Sequence, residues 1–287
     1  MALKGLCKGL CFYAALVVLA VCRITQGVTV VVRTSATADT FVRQNAPDEN
    51  CGTKGALSVA GSAASNRSGD PVGLSDTFLQ FNVTSEVASL DAEFGSRNWT
   101  IGDIWLDVVE QTVPGNLRFG QGQGQFEIRW IAADEWSETE LTWNTKGNYL
   151  NSDTDIWVGI FTNLYYGDAY FPIQRFSLSL PEALVNDIRA GEDVSFYLTA
   201  VDPSIGFRFN SKDITGTRPK PYLEIVAILY NKADLNHDGC VDFLDYAKLA
   251  GNWHKTGPML DGDINEDQIV DYKDLETLSE NWLAYYP

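Results

Sequence analysis

The sequence predicts a mainly β protein, in which a jelly-roll β-sandwich over residues 28–230 precedes a small all-α module over residues 231–287. Two observations carry this prediction. Short segments of alternating apolar and polar residues, separated by turn residues, recur through the first part of the chain. The C-terminal part instead contains two similar segments that begin 29 residues apart, at Asp234 and at Asp263.

The N-terminus has the pattern of an export signal over residues 1–27. Lys4 and Lys8 supply a positive start, and the apolar run CFYAALVVLAVC follows from Cys11. This run is too short to span a bilayer as a helix. Small residues at Thr25 and Gly27 place a cleavage site before Val28. We therefore expect a secreted, extracellular protein, or one that is attached to the cell surface after export.

The charge of the chain restricts its partners. Lysine and arginine number 21 against 38 acidic residues, which gives a formal net charge of −17. Such a surface repels nucleic acids and anionic lipids, so neither nucleic acid nor, after signal cleavage, a membrane is an expected partner. Three of the five cysteines lie in the predicted signal, and Cys51 and Cys240 lie in different predicted domains. We expect no disulfide framework.

The predicted sandwich contains nine short segments with β character. They are VTVVV from Val28, TFV from Thr40, DTFLQFNV from Asp76, DIWLDVV from Asp103, QFEIRWI from Gln125, FSLSL from Phe176, VSFYLTA from Val194, GFRFN from Gly206 and PYLEIVAIL from Pro221. One helix is predicted between them, from Pro181 to Ala190, with Gly191 as its stop. Antiparallel strands without repeated βα units favour a sandwich of the jelly-roll type.

Several motifs in this region resemble a known family. ADTFVRQNAPDENCGTKGALSV, DTFLQFNV, EWSETELTWN and FRFNSKDITGTRPKPYLEI are similar to the DNRLRE-type sandwich modules, which are related to carbohydrate-binding module family 96. The resemblance implies a polysaccharide ligand. Members that bind acidic polysaccharides use basic clusters, so the acidic balance of this chain argues against an alginate-like ligand. Trp136 and Trp143 are expected to be core and corner residues of the sandwich, not a sugar platform.

Two loops offer aromatic residues for stacking on a sugar ring. The first, FTNLYYGDAYF, carries Tyr165, Tyr166 and Tyr170. The second, GNLRFGQGQGQ, carries Arg118 and Phe119. Sugar sites combine aromatic faces with polar groups that bind hydroxyls. The alternative for both loops is a surface turn with ordinary aromatic residues.

The C-terminal repeat places oxygen-bearing side chains at positions 1, 3, 5, 9 and 12 of each copy, counted from its first aspartate. These are Asp234, Asn236, Asp238, Asp242 and Asp245, then Asp263, Asn265, Asp267, Asp271 and Asp274. Calcium prefers six to eight oxygen ligands, and a twelve-residue loop supplies them at this spacing, with a backbone carbonyl at position 7. Cys240 and Ile269 occupy position 7, so two calcium ions are predicted.

Each loop is followed by a predicted helix with one apolar face. The faces consist of Phe243, Tyr246, Leu249 and Trp253, and of Tyr272, Leu275, Leu278 and Trp282. We expect these faces to pack against one another, with Val241 and Val270 pairing the loops. Gln268 stands at position 6, where a left-handed backbone favours glycine, so the second metal site is predicted to be the weaker.

Position 12 is aspartate in place of the longer glutamate, and no clear amphipathic helix precedes the first loop. With these features residues 231–287 resemble a type I dockerin, the duplicated module that attaches secreted proteins to a cohesin. The resemblance implies a cohesin-type partner that contacts positions 10 and 11, here Phe243 and Leu244, then Tyr272 and Lys273. Because these pairs differ, the two faces are not expected to be interchangeable.

The sequence offers little for catalysis. His237 and His254 lie in or beside the C-terminal repeat, and carboxylate pairs in the sandwich, such as Asp134 with Glu135, flank the signature tryptophans. The favoured prediction is a noncatalytic protein that recognises carbohydrate in polysaccharide breakdown. The alternatives are a structural or cell-surface assembly component whose sandwich binds proteins, and a diverged polysaccharide lyase or hydrolase.

Overall fold

A computed structural model describes residues 29–66, 68–111, 123–162 and 172–283. The chain divides between Lys232 and Ala233 into two compact units, an N-terminal and a C-terminal one. The predicted signal peptide, residues 1–27, lies outside the described residues. No helix in the described ranges is long and apolar enough to cross a membrane.

The described part of the N-terminal unit is mainly β. Its strands are β1 (Thr29–Ser35), β2 (Ala38–Arg43), β3 (Ala56–Ala60), β4 (Ser75–Asn82), β5 (Trp99–Val109), β6 (Gln125–Ile131), β7 (Ile156–Thr162), β8 (Ile173–Leu178), β9 (Asp193–Ala200), β10 (Gly206–Asn210) and β11 (Tyr222–Leu229). Two helices, α1 (Thr84–Phe94) and α2 (Glu182–Ala190), and a 3-10 turn, Lys146–Tyr149, interrupt them.

The strands form two antiparallel sheets. The first has the order β1-β11-β5-β8, and the second has the order β10-β3-β4-β9-β6-β7, with β2 also paired to β4. Apolar side chains of both sheets share one core. Phe126 on β6 and Phe176 on β8, for example, pack edge to face with ring centroids 5.3 Å apart. The expectation of a mainly β unit is therefore confirmed.

A second apolar cluster lies on the other face of the larger sheet. It joins Phe78 and Tyr197 to Trp136, which is only 4% exposed and donates its indole N–H to Ser195 Oγ at 3.0 Å. Trp143 packs against the same cluster and is partly buried. The prediction that both tryptophans are structural is confirmed, because they anchor the segment after β6 to the sheet.

All nine predicted strand segments coincide with strands, and the predicted helix is confirmed as α2. That helix ends at Gly191, which adopts the left-handed conformation (φ 74°) that glycine tolerates. The sequence prediction missed β3, β7 and α1. In β7 a bulge opposite Ile128 and Arg129 interrupts the alternation, and α1 buries only Val87 and Leu90. The sequence patterns of β7 and α1 are therefore weak.

The C-terminal unit contains two short helices, α3 (Phe243–Gly251) and α4 (Tyr272–Glu280). Both begin with a reciprocal capping box between the aspartates at positions 9 and 12 of the preceding loop. The buried core of the unit consists of Ala233, Val241, Leu249, Ile264, Val270 and Leu278.

Two expectations for this unit need correction. The apolar faces of α3 and α4 are buried mainly in their later turns, since Phe243 and Tyr272 are 75% and 72% exposed. Val241 and Val270 share the core, but their carbonyls accept hydrogen bonds from Leu283 and His254. Each loop is thus tied to the segment that follows the helix of the other repeat, and the valine carbonyls do not bond the opposite loop.

Candidate functional site

The first loop of the C-terminal unit folds around its own acidic side chains. Asp234 accepts hydrogen bonds from the backbone N–H groups of Asp238 and Gly239, at 3.2 and 2.8 Å. Asn236 and Asp238 accept from the N–H groups two residues further on, at 3.0 Å each. The side-chain oxygens at positions 1, 3 and 5 therefore point towards the inside of one tight turn.

The second loop repeats this arrangement atom by atom. Asp263 accepts from the N–H groups of Asp267 and Gln268, at 3.1 and 2.8 Å. Asn265 and Asp267 again accept from residues two positions on, at 3.0 and 3.2 Å. Two loops with different residues at positions 2, 4, 6, 7, 10 and 11 thus share one conformation.

The aspartate at position 12 closes each loop. Asp245 and Asp274 are fully buried. Asp245 accepts from the N–H groups of Asn236 and Asp242, at 3.0 and 2.9 Å, so it bonds both ends of its loop. Asp274 does the same with Asn265 and Asp271, at 3.1 and 2.8 Å. Burial raises the pKa of Asp234 at the start of the first loop, and Asp245 and Asp238 add repulsion.

Left-handed backbone conformations occur at positions 4 and 6 of both loops. Position 4 is His237 (φ 59°) and Glu266 (φ 59°), while position 6 is Gly239 (φ 89°) and Gln268 (φ 66°). A residue with a side chain is strained there, by about 1 kcal/mol. The second loop therefore contains one more strained residue than the first.

The donor set of both loops fits a hard divalent cation. Each offers four carboxylates and one amide, and calcium prefers oxygen ligands of this kind in a flexible loop. The side chains at positions 1, 3, 5 and 12 accept backbone N–H groups of their own loop, whereas the aspartate at position 9 caps the following helix with one of its oxygens. This agrees with a position-9 residue that acts through a water.

One charged contact distinguishes the second loop. The Lys273 ammonium lies 2.9 Å from Asp267 Oδ2, at position 5 of that loop, and holds the pKa of Asp267 below its usual range. The equivalent residue of the first repeat is Leu244, which carries no charge. The two loops therefore differ in the charge at position 11.

The four predicted docking residues lie on the surface of the C-terminal unit. Phe243, Leu244 and Tyr272 are 75%, 59% and 72% exposed, and the Lys273 side chain is 67% exposed. Beside them a cavity of about 260 Å³ opens between the helices, lined by Tyr246, Leu249, Ala250, Trp253 and Leu275. Exposed apolar residues next to a cavity are typical of a protein-binding surface.

The predicted sugar-contacting residues Tyr165, Tyr166, Tyr170, Arg118 and Phe119 lie outside the described residues. In the described part of the N-terminal unit, a cavity of about 300 Å³ is lined by Phe41, Arg43, Asn45, Ser58, Asn66, Pro71, Val72, Ser75 and Arg208. Arg43 and Arg208 are far apart in sequence, so sequence reasoning missed this site. The cavity is rich in hydrogen-bond donors, and Glu49 pairs with Arg43 at its margin.

An acidic cluster in the same unit holds a lysine. Asp39, Glu138 and Asp213 lie close together, and Lys212 Nζ contacts Glu138 and Asp213 at 3.1 Å each. Asp39 is buried, which raises its pKa to about 6, and it accepts from Ser211 Oγ and the Lys212 N–H. Glu138 also accepts from the Asp39 N–H at 3.1 Å. These acids connect three segments of the chain.

Comparison with known proteins bears on the N-terminal unit. Residues 30–166 match the family model of carbohydrate-binding module family 96. A search of curated proteins gave no match. The family match supports a carbohydrate-binding function for this part of the chain, in agreement with the motifs that predicted it. The match ends before the C-terminal unit, so the interpretation of that unit depends on its loops and helices alone.

Proposed function

We propose that this chain is a secreted, noncatalytic carbohydrate-binding protein that attaches to a cohesin-bearing partner through a calcium-ordered, type I dockerin-like C-terminal unit. It would bring its partner to a polysaccharide that other proteins degrade. The family match supports the first half of this proposal. The matching geometry of the two loops supports the second half.

Strand order supports a jelly roll for the N-terminal unit. If β2, β3 and β10 are set aside, the remaining eight strands, counted along the chain, follow the orders 1-8-3-6 and 2-7-4-5 in the two sheets. This is the order that two interleaved Greek keys produce in a jelly roll. Such sandwiches are common among carbohydrate-binding proteins, so the topology agrees with the family match.

In the C-terminal unit, one calcium ion would be held by Asp234, Asn236, Asp238, Cys240, Asp242 and Asp245. A second ion would be held by Asp263, Asn265, Asp267, Ile269, Asp271 and Asp274. Bound calcium neutralises the carboxylates that otherwise repel one another. Since so small an apolar core supplies little stability, folding of this unit would depend on the metal.

The docking surface would comprise Phe243, Leu244, Tyr272 and Lys273. The first repeat offers two apolar side chains and the second offers an aromatic ring with a cation. A partner that fits the first pair would therefore not fit the second equally well, so we propose a single preferred orientation of binding. The exposure of these residues supports the proposal, because it leaves them free to contact a partner.

One observation carries the part of the proposal that concerns the C-terminal unit. The acceptor side chains at positions 1, 3, 5 and 12 recur in both loops, and their backbone N–H donors occupy equivalent positions. The test is a calcium titration of the full chain by calorimetry, with helix content followed by circular dichroism. We expect two bound ions and loss of helix signal in chelator. Asp234→Ala with Asp263→Ala should remove both effects and leave the β signal intact. Identical spectra with and without calcium would refute the proposal.

The partner is tested separately. The calcium-loaded chain should bind an immobilised type I cohesin domain, and chelator should release it. The alternative of an assembly component differs in the ligand of the N-terminal unit. A glycan array with the full chain separates the two, because an assembly component would bind no polysaccharide on it.

A further inference from the structure

The edge strand β7 exposes an aromatic ring on the sheet. Trp157 and Ile160 are three residues apart, a spacing that places side chains on opposite faces of a regular strand. Here the bulge makes Val158 and Gly159 both buried, so Trp157 and Ile160 both point outwards, 49% and 46% exposed. Bulges re-aim side chains in this way and recur beside functional sites.

Polar side chains extend this face across the sheet. Arg129 on β6 lies opposite Trp157 on β7 and opposite Tyr197 on β9. In the next row Glu127 lies opposite Ile160 and Thr199. Residues that are directly opposite share one face of the sheet. An indole, a guanidinium, a carboxylate and a hydroxyl are thus presented together over three neighbouring strands.

The polar groups of this face are held in place by one another. Arg129 Nε and Nη2 both contact Glu127 Oε1, at 2.8 and 2.7 Å. Thr199 Oγ1 donates to the buried Asp76 at 2.6 Å, and Tyr197 donates to the same carboxylate at 2.8 Å. Lys146 forms an ion pair with Asp76. Within the described residues, Arg129 contacts only one oxygen of Glu127, which leaves the other oxygen available to a ligand.

We infer that this face is a carbohydrate-binding platform, on which Trp157 stacks against one side of a pyranose ring while Glu127, Arg129 and Thr199 bind its hydroxyl groups. The inference rests on the proposed function and specifies the site that performs it. Stacking requires an exposed aromatic plane with polar neighbours. Because β7 is the last strand of its sheet in the described part of the chain, an extended polysaccharide can approach the face from the side of β7.

The charges of the platform select a neutral sugar. The positive charge of Arg129 is balanced by Glu127, and that of Lys146 by Asp76. Among the described residues of this face, both cations are paired with a carboxylate, and the second oxygen of Glu127 repels a uronate or a sulfate. The ligand class is therefore a neutral polysaccharide of pyranose units with adjacent hydroxyl groups.

The test is affinity electrophoresis of the calcium-loaded full chain in gels that contain one soluble polysaccharide each. Xylan, mixed-linkage glucan, galactomannan and hydroxyethylcellulose are the neutral probes, and alginate and polygalacturonate are the acidic ones. We expect retardation by at least one neutral probe. Trp157→Ala should weaken that binding at least tenfold, Trp157→Phe at most about threefold, and Thr199→Ala by an intermediate factor.

Val31→Ala is the matched control, because Val31 is as exposed as Trp157, at 49%, but lies on β1 of the other sheet. The Val31→Ala variant should bind the polysaccharide as the wild type does. Equal melting temperatures would show that the variants fold. Undiminished binding by Trp157→Ala, or binding to acidic probes alone, would overturn the inference but leave carbohydrate binding in place. If Trp157→Ala abolished self-association of the chain but left sugar binding unchanged, the inference would be overturned as well, because Trp157 would then contact protein and not sugar. A wild type that binds none of the probes would refute the proposed function itself.

Discussion

Phe243, the first residue of α3, packs edge-on against Trp282, which follows α4, with ring centroids 4.9 Å apart at an angle of 81°. Tyr272 at the start of α4 makes the same contact with Trp253 after α3, at 5.1 Å and 89°. Each repeat therefore supplies an aromatic ring to the tryptophan of the other. The residues at position 10, which we propose as docking residues, therefore also join the two repeats.

These two contacts predict a cost to stability. Phe243→Ala and Tyr272→Ala should each lower the free energy of unfolding of the calcium-loaded C-terminal unit by about 1 kcal/mol, since a T-shaped ring pair contributes that much beyond its buried area. The measurement is thermal unfolding in calcium, followed through the helix signal. Met259→Ala is the control, because Met259 is 80% exposed, and it should have no effect. Unchanged melting of both ring variants would contradict the prediction.

The contact between Lys273 and Asp267 predicts unequal calcium affinities. A metal at the second loop must displace the ammonium from a carboxylate that would bind it. Exposed ion pairs are weak, so Lys273→Leu should strengthen calcium binding at this loop by only about two- to fivefold. Leu244→Lys should weaken the first loop by a similar factor. Calorimetric titration of the full chain resolves both changes.

A loss of one positive charge anywhere in this acidic unit also favours cation binding. Lys255→Leu removes such a charge, but Lys255 Nζ contacts an amide, Asn252 Oδ1 at 2.9 Å, and no loop carboxylate. It should therefore change the calcium affinities less than Lys273→Leu does. Equal effects of these two variants would show that net charge, and not the contact with Asp267, sets the difference between the loops.

The conformation of the two acidic loops could be predicted from the sequence because their geometry is local. All oxygen donors of a loop fall within twelve residues, and the repeat shows that the pattern is not random. Nine of the eleven described strands could be predicted for the same reason. The platform and the arginine-lined cavity could not, since Trp157 and Thr199 come to share one face, and Arg43 and Arg208 line one cavity, only through the pairing of distant strands. The bulge also removes the alternation that would have marked β7 as a strand.

The backbone at position 6 predicts a second difference between the loops. Gln268 has a positive φ of 66°, and the corresponding residue of the first loop is glycine. Gln268→Gly should stabilise the second loop by about 1 kcal/mol, and Gly239→Gln should destabilise the first by a similar amount. The measurement is the chelator concentration at which the helix signal is lost. If Gly239→Gln were neutral, the left-handed conformation would not set the affinity.

The N-terminal unit should become less stable as the pH rises through 6. Burial raises the pKa of Asp134 to about 6 from 3.8, and the nearby Asp187 and Asp193 add repulsion. A carboxyl whose pKa is raised in the folded state adds stability that is complete below pH 3.8 and is lost as the pH rises through 6. Asp134 is partly exposed, so solvent screening limits its share of this loss to about 1 kcal/mol.

Asp134→Asn tests this share, because asparagine cannot ionise. The variant should melt higher than the wild type at pH 7 and 8, and the difference should disappear near pH 4. Its pH slope should not vanish, since burial also raises the pKa of Asp39 to about 6. Glu135→Gln should change the slope in the same direction but by less, because the Glu135 carboxylate contributes to the raised pKa of Asp134. Parallel melting curves for Asp134→Asn and wild type from pH 4 to 8 would show that Asp134 ionises at its ordinary pKa.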